Sequence, residues 1–379
     1  MIFRFILARA IREGNFATLG RFAAAFLDNC RVFVSGGEAR KGPVSMVWDV
    51  TDRCNLQCAF CGWGRTPAPA DAPRRKELGR DEKLSIVRKL GDAGVWLVSF
   101  CGGEPLLCRD LGALIAACKA RGMAVGVSTN GLLLEESAGM LVDAGVDSIT
   151  VSVDGPDAEA LDRMRGHAGL CAKIERGIAE VRRLSRKRPV RIEARCLINK
   201  LNAHALESLV ARWGPSLDAV MFKPIYENPH VFYRVPDRMR LGQEDEADFR
   251  EHFRAFLKKH KAYDSRYNRL IPDFLFAPGT LKDKYLCFAG LFFAGIGCDG
   301  SLYACHELTM QRNEPLGDLA KDDFMGLWNS PGLRALRKRF KQGERCDCWM
   351  DRFEPGIGLQ RLLTPINDLC RMFSHDKTT

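Results

Sequence analysis

The chain of 379 residues lacks the features that mark repetitive or disordered proteins: it has no low-complexity tract and no internal repeat at solenoid periods. Its 35 glycines and 17 prolines are ordinary numbers for this length, and 46% of its residues are apolar. The length exceeds one typical domain but is compatible with a barrel and an appendage. Composition therefore predicts a folded, enzyme-like chain with a real core.

The N-terminal region lacks an apolar run of the roughly 20 residues that span a bilayer. Arg4, Arg9, Arg12 and Arg21 interrupt its apolar residues, whose spacing predicts two short amphipathic helices. A basic, Phe-rich segment of this kind can dock on a neighbouring domain or lie on an anionic membrane surface. We favour docking, with peripheral contact of residues 1–40 with the inner membrane face as the alternative.

Acidic residues are in deficit, with 47 Asp and Glu against 57 Lys and Arg, and the formal charge of +10 favours anionic partners. The densest basic run, Arg182 to Arg188, closes a predicted helix, where cations suit the helix dipole and a solvated face. The chain shows no recognisable basic RNA-binding module. A nucleic acid partner is therefore not expected.

A signal peptide is also missing, although the chain has 15 cysteines. Together these features favour a reducing, cytoplasmic location and metal ligation over disulfides. Two groups of cysteines, within 54–61 and within 287–348, have the close spacing of ligand sets. The others stand apart and read as ordinary thiols: Cys30, Cys101, Cys108, Cys118, Cys171, Cys196 and Cys370.

The first group follows an apolar, strand-like run and consists of Cys54, Cys58 and Cys61. Three thiolates at this spacing can hold one face of a cubic 4Fe-4S cluster and leave the fourth iron open to a small molecule. Zinc also suits thiolates but normally takes four protein ligands, so the spacing alone leaves it open. The next strand-like run ends in Gly102-Gly103-Glu104, where a ligand can approach the backbone and a carboxylate can pair with an ammonium group.

These motifs, with Phe60 before the third thiol, resemble the signature of the radical S-adenosylmethionine (SAM) superfamily. The resemblance implies that the three thiols bind a 4Fe-4S cluster, that SAM binds its open iron, and that the Gly-Gly-Glu segment holds the SAM ammonium group. Phe60 would pack near the adenine. Reductive cleavage of SAM would give a 5'-deoxyadenosyl radical that abstracts hydrogen from a substrate. A flavodoxin- or ferredoxin-type protein would supply the electron.

From Ser45 to about Ile225, short β-rich runs alternate with helical stretches. We predict strands at Val47–Thr51, Val95–Cys101, Ala124–Thr129, Ser148–Val153, Arg191–Ile198 and Ala219–Pro224. Predicted helices include Asp81–Ala93, Leu111–Arg121, Glu135–Ala144, Cys171–Arg186 and Ala203–Trp213. Six β-α repeats predict an α/β fold with a parallel sheet and right-handed crossovers. The resemblance implies a partial (β/α)6 TIM-like barrel.

Four regions follow from these patterns. Residues 1–43 form an N-terminal helical segment, 44–225 the barrel, 226–286 a connecting segment that covers the substrate, and 287–379 a small cluster-binding extension. His230 and Tyr233 of the connecting segment are of types that transfer protons, but packing explains them as well. No residue of the sequence can be assigned as the catalytic acid, base or hydrogen donor.

Polar residues follow the carboxyl ends of the predicted strands, where ligands bind in such sheets. The resemblance implies that they contact the ribose, amino acid and adenine parts of SAM, although helix capping also explains such residues in strand-to-helix turns. The candidates are Thr129, Asn130, Ser152, Asp154, Arg165, Leu197 and Asn199.

The second cysteine group begins at Cys287 and includes Gly300-x4-Cys305, where Asp299-Gly300 suits a hairpin turn. It resembles the SPASM or twitch extension of many radical SAM enzymes. The resemblance implies an auxiliary 4Fe-4S cluster, whose expected ligands are Cys287, Cys305, Cys346 and Cys348. Later cysteines are too few for two clusters, Cys298 is a spare or substitute ligand, and a structural zinc site stays open. His306 is expected beside the cluster and not as a ligand.

The leading hypothesis is a radical SAM oxidoreductase or maturase that acts on a carbohydrate, lipid or secondary metabolite. A peptide maturase is the alternative, and it would be expected to carry a leader-binding unit before the barrel, which the Phe-rich N-terminal segment does not resemble. The rival of another class is a non-catalytic zinc or iron-sulfur scaffold that binds an anionic partner. A cobalamin-dependent methylase is not expected, because 53 residues before Cys54 are too few for a corrin-binding domain and no Asp-x-His-x-x-Gly motif occurs.

Overall fold

The computed structural model describes residues 14–61, 63, 75–226, 235–277, 287–311 and 315–344, together with residues 6, 8, 10 and 11. Several residues singled out above lie outside the described residues: His230, Tyr233, Cys346, Cys348 and Cys370.

One nine-stranded sheet, in the order β6-β5-β4-β3-β2-β1-β7-β8-β9, organises the described chain. The strands are β1 (Ser45–Thr51), β2 (Leu97–Gly102), β3 (Ala124–Thr129), β4 (Ser148–Ser152), β5 (Arg191–Ile198), β6 (Ala219–Pro224), β7 (Phe293–Ile296), β8 (Ser301–Tyr303) and β9 (Gly317–Asp318). The first seven pair in parallel, and β8 and β9 are antiparallel. The sheet does not close, which confirms the α/β class and the partial barrel.

The described residues also form helices. They are α1 (Phe16–Ser35), α2 (Arg80–Asp92), α3 (Leu111–Ala120), α4 (Leu134–Ala144), α5 (Ala158–Arg165), α6 (Leu170–Leu184), α7 (Leu206–Trp213), α8 (Glu246–Lys259), α9 (Arg266–Arg269), α10 (Ile271–Phe276), α11 (His306–Gln311), α12 (Phe324–Trp328) and α13 (Pro331–Lys341). The six predicted strands and five predicted helices are present, with small shifts at their ends.

Four helices in the described residues of the barrel and the connecting segment were not predicted, namely α5, α8, α9 and α10. Helix α5 has only eight residues, and Asp157 caps its N-terminus by accepting from the Ala160 amide. Helix α8 occupies a region that we expected to be irregular. Its residues Phe249, Phe253 and Phe256 are buried at helical spacing, and Phe256 packs edge-on against Phe222 of β6 at 5.5 Å between ring centroids.

The N-terminal region packs on the barrel, as the docking interpretation expects. Residues 16–35 form one helix of 20 residues, which corresponds to the second of the two predicted helices, and the described residues 6, 8, 10 and 11 of the first are helical. Phe22 contacts Trp96 at 4.9 Å between ring centroids, and Phe33 contacts Phe288 at 5.6 Å. Among the helices of the described residues, none has the length and apolar character that crossing a membrane requires.

The C-terminal extension continues the barrel sheet. Strand β7 pairs with β1, with Val47 opposite Gly295 and Trp48 opposite Ile296. A hairpin then leads from β7 into β8 through Gly300, whose φ of +86° suits glycine in the turn. The second cysteine group is therefore built onto the strand that leads into the first.

Candidate active site

The loop after β1 carries the first three thiols and is held by donors directed at its sulfurs. Cys61 N donates to Cys58 O at 3.2 Å. Asn130 Nδ2 lies 3.9 Å from Cys54 Sγ, and Arg165 Nη1 lies 3.8 Å from Cys58 Sγ. Such donors suit thiolates that ligate a cluster, because outer hydrogen bonds orient the sulfurs and stabilise their charge. The residues present therefore fit a three-cysteine cluster site.

Burial makes ionisation of these thiols unfavourable in the absence of a metal. Burial raises the pKa of Cys54 to about 11. Burial, with a further contribution from Cys58, raises the pKa of Cys61 to about 12. A bound metal reverses this preference, since coordinated thiols are deprotonated.

The Gly-Gly-Glu segment approaches the cluster loop so closely that side chains do not fit. Gly102 has φ of +120°, and a Cβ there would lie 2.3 Å from Thr51 O. A Cβ on Gly103 would lie 2.1 Å from Arg53 O. Gly103 N donates to Thr51 O at 2.9 Å and Glu104 N to Arg53 O at 2.8 Å. The glycines are thus required by the contact between β2 and the start of the cluster loop.

Glu104 joins the ends of β2 and β3. Its fully buried carboxylate accepts from Thr129 Oγ1 at 2.7 Å, Asn130 N at 2.7 Å and Leu106 N at 3.1 Å. Burial raises its pKa to about 7, although these three donors lower it. The carboxylate keeps about one further acceptor position. Its predicted contact with the SAM ammonium group stays a prediction, and its bracing of Thr129 and Asn130 was not foreseen.

Arg165, at the end of α5, connects β4 with the cluster loop. It forms a buried ion pair with Asp154, whose Oδ1 also accepts from Leu197 N at 2.8 Å. Its guanidinium carbon lies 5.3 Å from the centroid of the Phe60 ring. Burial raises the pKa of Asp154, and Arg165 opposes this shift. The predicted candidates Phe60, Asp154, Arg165 and Leu197 are thus brought together.

Two further candidates differ in accessibility. Ser152 is half-buried at the end of β4. Asn199 is fully buried, and its side chain donates to Leu197 O at 2.8 Å and accepts from Leu201 N at 3.0 Å. The Asn199 amide therefore shapes the turn after β5. Its contact with SAM stays a prediction.

The second cysteine group is described in part. Gly290 N donates to Ala304 O at 2.7 Å, which brings the segment after Cys287 beside the residue before Cys305. Leu308 N lies 3.5 Å from Cys305 Sγ. Cys298 lies at the turn end of the hairpin, with its Sγ 4.0 Å from Arg75 O, whereas Cys305 follows the opposite end of β8. The proposed four-cysteine set is untested, since its last two members lie outside the described residues.

A buried charge network beside the loop was missed by sequence reasoning. Arg75 Nη2 lies 2.8 Å from Asp52 Oδ1 and 3.6 Å from Asp49 Oδ2. His306 Nε2 lies 2.9 Å from Asp49 Oδ1. Burial lowers the pKa of Arg75, but its bonds to Asp52 and the charge of Asp49 raise it overall. The sequence feature that could have indicated this network is Asp49, the one acidic residue of strand β1.

Family models match both halves of this arrangement. The model of the radical SAM superfamily matches residues 48–197, and the SPASM model, an iron-sulfur cluster-binding domain, matches residues 287–349. The chain belongs to the radical SAM superfamily. It is accordingly an enzyme that uses SAM and a 4Fe-4S cluster, with a SPASM region that binds additional iron-sulfur.

Relatives over most of the chain share this organisation. The AdoMet-dependent heme synthase of Nitratidesulfovibrio vulgaris is 28% identical over 324 residues, which cover 79% of this chain and 83% of that protein. The mycofactocin maturase MftC of Mycolicibacterium smegmatis is 25% identical over 311 residues, covering 81% of this chain and 75% of that protein. One of these relatives is named as a heme synthase and the other as a maturase, so similarity does not assign a substrate here.

Solved structures share the fold. Streptococcus suis SuiB bound to S-adenosylmethionine superposes with a TM-score of 0.59 at 17% identity, covering 79% of this chain and 68% of that chain. At this identity the likeness establishes the architecture alone.

Proposed function

We propose that this radical SAM enzyme cleaves SAM reductively and abstracts hydrogen from a small-molecule substrate held inside the partial barrel. The observation that carries the proposal is the convergence of Asn130 and Arg165 on two thiols of the Cys54 loop, directly beside the Gly-Gly-Glu segment. A three-thiol loop braced in this way suits a cluster with one open iron.

Cys54, Cys58 and Cys61 would hold the cluster, which supplies the electron for SAM cleavage when it is bound. The protein contributes binding, orientation and exclusion of water. We assign the SAM ammonium group to the Gly102–Glu104 segment and the SAM carboxylate to Arg165, which already faces the loop. Thr129, Asn130, Ser152, Asp154 and Asn199 are proposed to line the ribose and amino acid portions, and Phe60 and Leu197 the adenine.

Cys287, Cys305, Cys346 and Cys348 are proposed to hold one auxiliary 4Fe-4S cluster. The backbone hydrogen bond from Gly290 N to Ala304 O supports the pairing of the first two. The position of Cys298, beside Arg75 at the turn end of the hairpin, favours a ligand set without it. Such a cluster could accept an electron from the substrate, ligate it or brace the fold.

Two substrate classes, a small molecule and a peptide, are compatible with the fold and the relatives. Residues 14–44 form a helix and a short link docked on the barrel, with Phe22 and Phe33 in aromatic contacts, and this does not resemble a leader-binding unit. A peptide substrate remains the second candidate, because MftC is named as a maturase and SuiB was solved bound to the precursor peptide SuiA. A small molecule is favoured because the heme synthase relative aligns over 83% of its length.

For the electron donor, we propose a flavodoxin- or ferredoxin-type protein. Peripheral membrane contact is a separate proposal, supported by three exposed apolar side chains near the N-terminus: Ile11 at 68%, Phe16 at 79% and Leu27 at 65% exposure. The double variant F16E/L27E should lose flotation with anionic liposomes and keep SAM cleavage. Equal flotation of both proteins would remove this proposal.

Anaerobic reconstitution tests the function itself. Two 4Fe-4S clusters predict about eight irons per chain, and reduction in the presence of SAM should release 5'-deoxyadenosine. C61A should lose about half of the iron and all release. Zinc in place of iron, with no release, would support the scaffold hypothesis and refute the proposed function.

A further inference from the structure

The two faces of the parallel sheet can be assigned from strand register. Cys196 of β5 pairs with Phe222 of β6, which packs against Phe256 of α8 on the outer, helical face. Side chains alternate along a strand, and paired residues share a face. Arg195 and Leu197 therefore face the barrel interior. Arg195 is level with Ser152 of β4 and Met221 of β6.

Part of the interior face is lined by half-buried hydroxyl groups. Ser128, Thr150 and Ser152 are half-buried, whereas their outer neighbours Val127 and Val151 are at most 2% exposed. Ser128 pairs with Thr150, so their hydroxyls form a belt on the inner face of β3 and β4. This belt offers hydrogen-bond donors to a ligand in the barrel, next to the guanidinium of Arg195.

Other charged side chains on the described part of the interior face have interaction partners, and Lys223, which is level with Leu197, is one of them. Glu193 is paired with Arg191 Nε at 2.6 Å, and Asp49 faces Arg75 and His306. Arg195 is half-buried, and its side chain has no hydrogen-bond or ion-pair partner among the described residues. A cation in a partly enclosed site favours an anionic ligand, because the pair compensates for the loss of water.

The SAM carboxylate does not account for this cation. In the proposed function the SAM carboxylate is assigned to Arg165, which would place it beside the Cys54 loop. Arg165 already lies there, 3.8 Å from Cys58 Sγ. Arg195 is two residues before Leu197 on β5, about 7 Å deeper in the barrel than the proposed adenine contact.

We propose that the substrate carries an anionic group, a carboxylate or a phosphate, and that Arg195 binds this group from the barrel interior. The hydroxyls of Thr150 and Ser152 flank it. The inference rests on the proposed function only in placing the substrate inside the barrel. Arg195 is thereby a substrate-binding residue, and it makes the enzyme specific for a substrate with a negative charge.

Anomalous diffraction from crystals of the holoenzyme with SAM tests the site directly. One set of crystals is soaked in selenate, a tetrahedral dianion that mimics phosphate, and another in 4-bromobenzoate, a carboxylate. We expect a selenium peak, or a bromine-marked carboxylate, within hydrogen-bond reach of the Arg195 guanidinium. The soak that gives the peak distinguishes the two anion chemistries, and peaks in both support the anionic class.

Matched variants complete the test. R195Q should lose the peak and R195K should keep it, while R88Q, which removes the same charge from the exposed face of α2, should leave it unchanged. An empty site in both soaks, a peak that persists in R195Q, or SAM carboxylate bound to Arg195 would overturn the inference. Release of 5'-deoxyadenosine by the same preparation, measured in parallel, reports on the proposed function independently.

Discussion

His306 Nε2 lies 2.9 Å from Asp49 Oδ1, and this contact joins the two cysteine groups. His306 follows Cys305, a proposed ligand of the auxiliary cluster, and Asp49 lies on β1, which leads into the Cys54 loop. Asp49 is fully buried and also faces Arg75. The carboxylate thus holds groups from three separate parts of the chain in one place.

Replacing Asp49 by Asn should destabilise the protein strongly. The substitution leaves the buried Arg75 with one acidic partner fewer, and breaking a buried ion pair costs about 3 kcal/mol or more. Anaerobic thermal unfolding of the holoenzyme measures the effect. D237N, at a side chain that is 99% exposed, is the matched control and should be neutral. Equal unfolding temperatures for D49N and wild type would contradict a structural role for the network.

Replacing Gly103 by Ala should disrupt the cluster site. The added Cβ would lie 2.1 Å from Arg53 O, so the start of the cluster loop must move. We expect iron content to fall by about one cluster after reconstitution. G139A in helix α4 is the control, since nothing lies within 4 Å of its Cβ and Ala favours a helix by about 1 kcal/mol. Full iron content in G103A would show that the cluster loop does not need the close contact between Gly103 and Arg53 O.

Glu104 should make the stability of the SAM-free protein depend on pH. Burial raises its pKa in the folded protein to about 7, from an ordinary value of 4.5. Between these values the folded state binds more protons than the unfolded state, so its contribution to stability falls as pH rises through this window. The full loss is about 3 kcal/mol above pH 7.

The comparison of wild type with E104Q isolates this effect. Gln cannot ionise, so the difference in unfolding free energy between the two proteins should change by about 3 kcal/mol between pH 4.5 and 7. Denaturant unfolding at several pH values measures it. A difference that stays constant across the window would mean that Glu104 ionises normally in the folded protein.

Replacing Arg165 by Lys should weaken SAM binding without removing the cluster. Lysine keeps the charge but loses the planar geometry that lets one side chain contact Asp154, Cys58 and the Phe60 ring together. We expect SAM affinity to fall about tenfold, or about 1.4 kcal/mol, at unchanged iron content. Equilibrium dialysis measures it. R163K, two residues earlier and 62% exposed, should bind SAM as wild type does.

Local patterns predicted much of the fold. Three strands, at 124–129, 191–198 and 219–224, have the bounds that the sequence indicated, because β-rich runs between helical stretches carry their own signal. The Cys54 loop and the Gly-Gly-Glu segment were likewise recognisable as contiguous motifs. Helix α5 was missed because it has only eight residues and half of them are charged.

Long-range contacts could not be predicted from local sequence patterns. Asp49 and His306 are 257 residues apart in the chain, and nothing local to either marks the other as its partner. Glu104 was expected to face a ligand, but its bonds to Thr129 and Asn130 depend on how β2 and β3 end side by side. The inward position of Arg195 required the register of β5 against β6.

Electron-nuclear double resonance of the reduced enzyme, mixed with SAM labelled with 15N at the amine and 17O at the carboxylate, tests the central claim most directly. The account predicts that both labels couple to the cluster of the Cys54 loop, since one iron lacks a protein ligand. Loss of this coupling in C61A would agree with SAM binding to the cluster held by Cys54, Cys58 and Cys61. Absence of coupling in the wild type, with a protein nitrogen, oxygen or fourth sulfur on that iron, would contradict it.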